Sequence, residues 1–222
     1  MKRTLYILVA LILLTNCNNS SNNETETVQT KQLTLYDETE TVHTKQLTLY
    51  DLKKDFTFFN LTKFEMDTFN WETRQGKYKE LDSITFYTVW QDGKRKFTGE
   101  YYDRYYLFSW QDRDTNFIEF TILAQEEDSW CNIIYYFIFD KNGKFIDNFY
   151  VCSSCGDGGW VFYASGKFIN NKTYEMSCIE YEDPLLEEEF REGDSTLYHI
   201  TINDKGKVTK KEIFNKHFTE KW

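Results

Sequence analysis

Downstream of residue 51 the chain is a succession of short segments in which apolar and polar positions alternate with a period of two. Residues 84–90 (ITFYTVW), 105–110 (YYLFSW), 117–124 (FIEFTILA) and 131–139 (CNIIYYFIF) are rich in β-branched and aromatic side chains. Residues 145–152, 160–169, 173–181, 196–202 and 208–214 continue the series. Such side chains suit the half-buried, pleated surface of a strand. Between the segments a Gly-Lys pair recurs, beginning at Gly76, Gly93, Gly143, Gly166 and Gly206. In DKNG (140–143) and NDKG (203–206) the glycine supplies the positive φ of a tight turn, so the pairs read as hairpins. No GxxxxGK[ST] surrounds them, and Asp140-x-Asn142-Gly143 lacks the later ligands of a calcium loop.

Two short helices are expected among the strands. Thr62-x-x-Glu65 has the form of a capping box, with Leu61 and Met66 placed as a hydrophobic staple. Asp183-Pro184 opens the second, with Pro at its first position and Gly193 just past its end. The pattern predicts one all-β domain over residues 52–222. It is an antiparallel meander, built as a curled sheet, a sandwich or an open barrel, with one or two short helices.

Upstream the pattern changes. Met1-Lys2-Arg3 precedes an apolar run over residues 5–14, well short of the roughly 20 residues that span a bilayer as a helix. Such a run is the core of a secretory signal peptide. It ends in Leu14-Thr15-Asn16-Cys17, which resembles the lipobox of bacterial lipoproteins: Leu three residues before Cys, then two small residues. Asn16 stands where that family prefers Gly, Ala or Ser. The resemblance covers residues 1–17 alone. It implies removal of residues 1–16 and acylation of Cys17, palmitate included, since several acyl chains hold a protein on a membrane where one does so marginally. Asn18 replaces the Asp that retains such proteins in some inner membranes. The resemblance therefore implies the cell envelope, with the outer membrane ahead of the inner, facing periplasm or cell surface.

Residues 17–51 read as a tether. The stretch 18–23 (NNSSNN) has nothing to bury. ETETVQTKQLTLYD at 24–37 returns as ETETVHTKQLTLYD at 38–51, differing at Gln29 and His43. Two such units are too few for a solenoid. Either a duplication lengthened a spacer, or Leu33/Leu35 and Leu47/Leu49 form two short strands, one docked on the domain and one free.

Charge narrows the function. The net charge is −10, and removing residues 1–16 takes away Lys2 and Arg3 to make it −12. Nucleic-acid binding, which neutralises phosphates with Lys and Arg, is excluded. Four cysteines follow Cys17: Cys131, Cys152, Cys155 and Cys178, an even number that favours disulfides in an exported chain. Pairing Asp140 with Phe145 across the DKNG turn sets Cys131 opposite Ser154, within reach of Cys152 and Cys155. One bridge from Cys131 to either is expected, with the remaining pair bridged or free. Cys152-x-x-Cys155 opens no helix of an α/β fold and has no second knuckle, so neither redox chemistry nor zinc is expected.

The candidate binding loop is residues 152–160 (CSSCGDGGW): Gly158 and Gly159 beside Asp157 allow close approach of a partner, and Trp160 can stack on it. The alternative is a long hairpin connection stapled by a bridge. Residues 180–194 hold eight acids (Glu180, Glu182, Asp183, Glu187, Glu188, Glu189, Glu192, Asp194) against Arg191, as a face for a basic protein or as a solvated helix with its flanks. His199, in an alternating strand, and His217, in a frayed C-terminus, sit in no catalytic motif, and neither GxSxG nor HExxH occurs. No catalytic residue, metal or cofactor is expected. The reading is an exported, lipid-anchored, non-catalytic binding protein whose partners are the membrane, through its anchor, and a basic protein. The alternative is an envelope glycan-binding module or a glycosidase-type enzyme with paired carboxylates.

Overall fold

A computed structural model describes residues 47–66, 77–98, 103–126, 130–182 and 190–221, all within one unit, Lys45–Trp222. The expected signal peptide, Cys17, the NNSSNN stretch, the first repeat copy and residues 38–46 of the second lie outside the described residues.

The chain enters through a short helix α1 (Leu49–Leu52) and a 3-10 turn (Lys53–Asp55). Three two-residue strands follow, β1 (Phe58–Phe59), β2 (Lys63–Phe64) and β3 (Lys79–Glu80), and then helix α2 (Ser83–Val89). Eight long strands complete the fold: β4 (Asp103–Gln111), β5 (Phe117–Glu126), β6 (Cys131–Asp140), β7 (Phe145–Asp157), β8 (Trp160–Phe168), β9 (Thr173–Glu182), β10 (Phe190–Ile202) and β11 (Val208–Lys221). They form one sheet in the order β1-β4-β5-β6-β7-β8-β9-β10-β11, antiparallel except where β1 joins β4, and the sheet does not close. The all-β antiparallel meander is thus present.

Strands β4–β6 are buried on both faces, which is why they read as near-continuous apolar runs. One face, with Leu107, Phe120, Ile122 and Phe137, is covered by Leu49 and Leu52 of α1 and by Phe86, Val89 and Trp90 around α2. The other, with Leu123, Ile134, Tyr136 and Ile138, shares a cluster with Tyr174, Met176 and Ile200 of β9 and β10. The sheet therefore curls back over itself, and the Tyr174 hydroxyl, donating to the Val151 carbonyl at 2.6 Å, ties the curl.

Several expectations are corrected. Residues 84–89 are helical and Trp90 caps their end, because Asp82 caps the Thr85 N–H at 2.7 Å and burial falls on Phe86, Val89 and Trp90, a helical spacing, with Ile84 and Tyr87 exposed. Thr62–Glu65 is no helix: Lys63 and Phe64 pair with Lys167 and Gly166 of β8. The second expected helix, from Asp183-Pro184 to just before Gly193, has residues 183–189 outside the described ones, and its remaining part, with Gly193, its expected terminator, is inside strand β10 (Phe190–Ile202). Of the Gly-Lys pairs, Gly143 and Gly206 make the expected hairpins, Gly93 follows α2, Gly166 is inside β8, and Gly76 lies outside the described residues. Leu49 is in a helix rather than a strand, and it is Leu49 and Leu52 that are buried.

At the far edge, β11 runs for fourteen residues, almost all exposed. Ile213 is an extra residue against β10, a bulge between the pairs Tyr198–Glu212 and Leu197–Phe214.

Candidate functional site

β7 and β8 are joined by two residues, Gly158 and Gly159, with φ of +59° and +100°. Glycine adopts such angles more readily than any other residue, which makes the Gly-Gly pair a tight hairpin turn. The long connection expected over 152–160 is therefore not there: 152–157 continue β7, and Asp157 faces Trp160 as the last pair of the ladder.

Register does the rest. Asp157, Trp160, Glu182 and Glu192 line up across four strands, and two residues further in Cys155, Phe162, Glu180, Asp194 and His217 line up across five. Directly opposed residues share a face, as do residues two apart on a strand, so both rows project from one side of the sheet. Trp160 is 36% exposed, and the five carboxylates of the two rows are exposed as well. The Trp160 indole N–H donates to Glu180 Oε1 at 2.8 Å, and its ring stacks on Phe162 with centroids 6.1 Å apart and planes 4° from parallel. Tyr150 meets Phe162 edge-on at 6.4 Å. Next to it Lys210 lies 3.6 Å over the Tyr198 ring and donates to the Tyr150 hydroxyl at 3.3 Å. Aromatic rings edged by carboxylates form a surface that attracts cations, through the ring quadrupole and through charge; Lys210 is an intramolecular case.

No Lys or Arg is the direct cross-strand partner of these acids, and Asp194 faces His217. Glu182 opposes Glu192 and Glu180 opposes Asp194, an arrangement that costs stability. The relief comes from Trp160 on Glu180 and from His217, whose Nδ1 lies 3.3 Å from Asp194. Asp183 and Glu187–Glu189 lie outside the described residues; the flanks of that acidic stretch are strands. Neither histidine is where a frayed end or a catalytic motif would put it. His217 is within β11, and His199 Nε2 lies 3.3 Å from Glu175.

The cysteines settle into one bridge, Cys131–Cys155, with α-carbons 4.1 Å apart, and two buried thiols, Cys152 and Cys178. The register expected across the DKNG turn is off by one residue. Phe139 pairs with Phe145, which alone would set Cys131 opposite Ser153, and irregularities at Ile138/Phe139 and Ile134/Tyr135 each shift the pairing by one residue to bring Cys131 opposite Cys155. Burial pushes the Cys152 thiol up to about 12 and raises Cys178, so both stay protonated and unreactive. Among the described residues no three His, Cys, Asp or Glu side chains come together to hold a metal ion.

The carboxyl with the largest upward shift is sealed in the core. Glu119 is 2% exposed, and burial pushes it up to about 7 against the pull of Arg113. Arg113 reaches from the β4–β5 turn to the Leu61 carbonyl and sits 3.4 Å over the Phe168 ring, clamping β2 and β8 to the sheet. Glu119 is closed off from any substrate. Among the described residues no helix is long and apolar enough to cross a membrane.

Asp157, Trp160 and the acids stand out in the sequence, whereas Phe162, Tyr150, Tyr198 and Lys210 do not, because they join the site through cross-strand register. Trp130 is a further residue the pattern hides: it is 65% exposed beside the bridge, and its carbonyl accepts from the Gly156 N–H at 3.4 Å. No protein family, no curated protein and no solved structure matches this chain.

Proposed function

We propose that this is an exported, lipid-anchored, non-catalytic binding protein of the cell envelope, and that its aromatic and acidic sheet face engages a basic protein. One observation carries the reading: carboxylates stand opposite carboxylates around an exposed Trp160–Phe162 stack. A fold that needed those positions for stability alone would place opposite charges there. Lysine or arginine side chains of a partner would relieve the repulsion and lie over the rings. The lipobox-like Leu14-Thr15-Asn16-Cys17 supports anchoring at Cys17, and Asn18 after it favours the outer membrane over the inner. A glycan ligand is the second reading, favoured by Trp160 and Trp130, both exposed near the β7–β8 hairpin.

The test is affinity capture from envelope and culture medium with the 45–222 unit, beside a Glu180→Gln/Glu182→Gln/Glu192→Gln/Asp194→Asn variant. A basic protein held by the parent, released by salt and lost by the variant supports the reading. Capture indifferent to the four substitutions sinks it. For the anchor, palmitate incorporation that persists in Cys17→Ala removes the lipoprotein assignment.

A further inference from the structure

Lys210 stands on the inward side of the edge strand β11. It pairs with Ile200, which is 2% exposed and belongs to the core, so both side chains start from the same face of the sheet. The ammonium then bends onto two rings. It lies 3.6 Å over Tyr198 and 5.3 Å from the centre of the Tyr150 ring, whose hydroxyl accepts from it at 3.3 Å. Tyr198 belongs to β10 and Tyr150 to β7, which are not neighbours in the sheet. They meet because the curl brings the start of β11 against β7: the Val208 N–H donates to Asp147 Oδ2 at 3.1 Å, and Lys207 donates to the Ile146 carbonyl at 2.5 Å.

Two ring faces attract a cation through their quadrupoles, and the Tyr150 hydroxyl adds an acceptor. The pair is also the end of a longer aromatic row, since Tyr150 meets Phe162 and Phe162 stacks on Trp160. Neither tyrosine is sealed and Lys210 is exposed, so a group arriving from solution has access. We propose that Tyr150 and Tyr198 form a receptor for a primary alkylammonium, that Lys210 occupies it in the free protein, and that a lysine side chain of the bound partner displaces Lys210. The displacement rests on the basic-partner reading above; the receptor does not. Lys210 is a tethered competitor at high effective concentration, so isolated amines are kept out. A chain carrying several lysines, held by Glu180 and Asp194 as well, can overcome it.

Emptying the receptor and watching its occupant test the two halves separately. n-Butylammonium is expected to raise the Tm of Lys210→Ala and to move the ring resonances of Tyr150 and Tyr198. Butanol, its neutral analogue, should do neither, the parent should respond to neither compound, and Lys210→Ala/Tyr198→Leu should lose the response. In the parent, the Lys210 ε-methylene protons are expected upfield of ordinary lysine, shifted by the Tyr198 ring, and oligolysine is expected to return them to the ordinary position. Oligolysine should bind Lys210→Ala about tenfold more tightly than Lys211→Ala, a variant that removes the same charge from the opposite face of β11.

Equal responses to butylammonium and butanol, or unshifted Lys210 protons in the free parent, overturn the receptor. Oligolysine binding that leaves those protons upfield, or that favours the two variants equally, overturns the displacement. Oligolysine that binds neither the parent nor Lys210→Ala removes the basic-partner reading and the displacement with it, while the butylammonium result still decides the receptor.

Discussion

Cys131 and Cys155 face each other across the β6–β7 ladder one residue pair inward from Gly156, and Cys155 in turn faces Phe162. The bridge therefore fixes the base of the hairpin that presents Trp160. It closes a separation of 24 residues, and loss of that constraint is expected to cost about 3 kcal/mol. Cys131→Ser/Cys155→Ser should unfold at correspondingly lower denaturant. Non-reducing peptide mapping should recover the 131–155 link with Cys152 and Cys178 free; a bridge from Cys131 to Cys152 would overturn the β6–β7 register.

Glu119 makes stability depend on pH in the direction opposite to most carboxylates. Its folded value is about 7, raised by burial above the ordinary 4.5, with Arg113, Tyr136 and Asp114 the ionisable groups acting on it. The folded state holds the proton more tightly, so this contribution is full below the unfolded value and is lost as pH rises from about 4.5 to 7. The span corresponds to roughly 3 kcal/mol. Denaturant midpoints measured from pH 4.5 to 8 should show a falling component that Glu119→Gln abolishes.

Gly193 has no room for a side chain. A β-carbon would meet the Glu180 carbonyl oxygen and come within 2.9 Å of the Phe218 ring. Gly193→Ala is expected to destabilise by about 2 kcal/mol or more, by parting β9 from β10. Denaturant unfolding would show it, and an unchanged midpoint would contradict the close approach.

Relief of the like-charge pairs separates binding from folding. Replacing Glu180, Glu182, Glu192 and Asp194 by their amides should stabilise the fold, at about 0.2–1 kcal/mol for each opposed pair, while abolishing capture of a basic partner. A variant that loses both stability and capture would mean the acids serve the fold.

Asp82 decides between helix and strand for the segment after it. Asp82→Ala removes the cap on α2 and is expected to cost about 1 kcal/mol. Circular dichroism and thermal unfolding would report it.

The long strands were legible because their burial is spelled out in β-branched and aromatic runs. ITFYTVW was not, because the same residue types fit a strand. What decides it is the neighbouring Asp82 and the need to cover Phe120 and Phe137, which lies outside the segment. β1, β2 and β3 are two residues each and leave no period to read. The acidic and aromatic residues of the site were visible singly. Their alignment depends on register through β8, β9 and β10, which a linear pattern does not carry; the bridge from Cys131 to one of Cys152 and Cys155 was legible, and irregularities invisible in sequence decide for Cys155.

The outer edge of β11 has a bearing on crowding. Molecules held on a surface collide with their own kind far more often than molecules in bulk, and a long bare strand is the part that would zip two of them together. Lys211, Lys216 and Lys221 are exposed along that strand, and the bulge at Ile213 breaks its regular spacing. Two chains brought edge to edge would fall out of step midway, at the bulge. The strand can stay exposed at high lateral density without seeding a fibre.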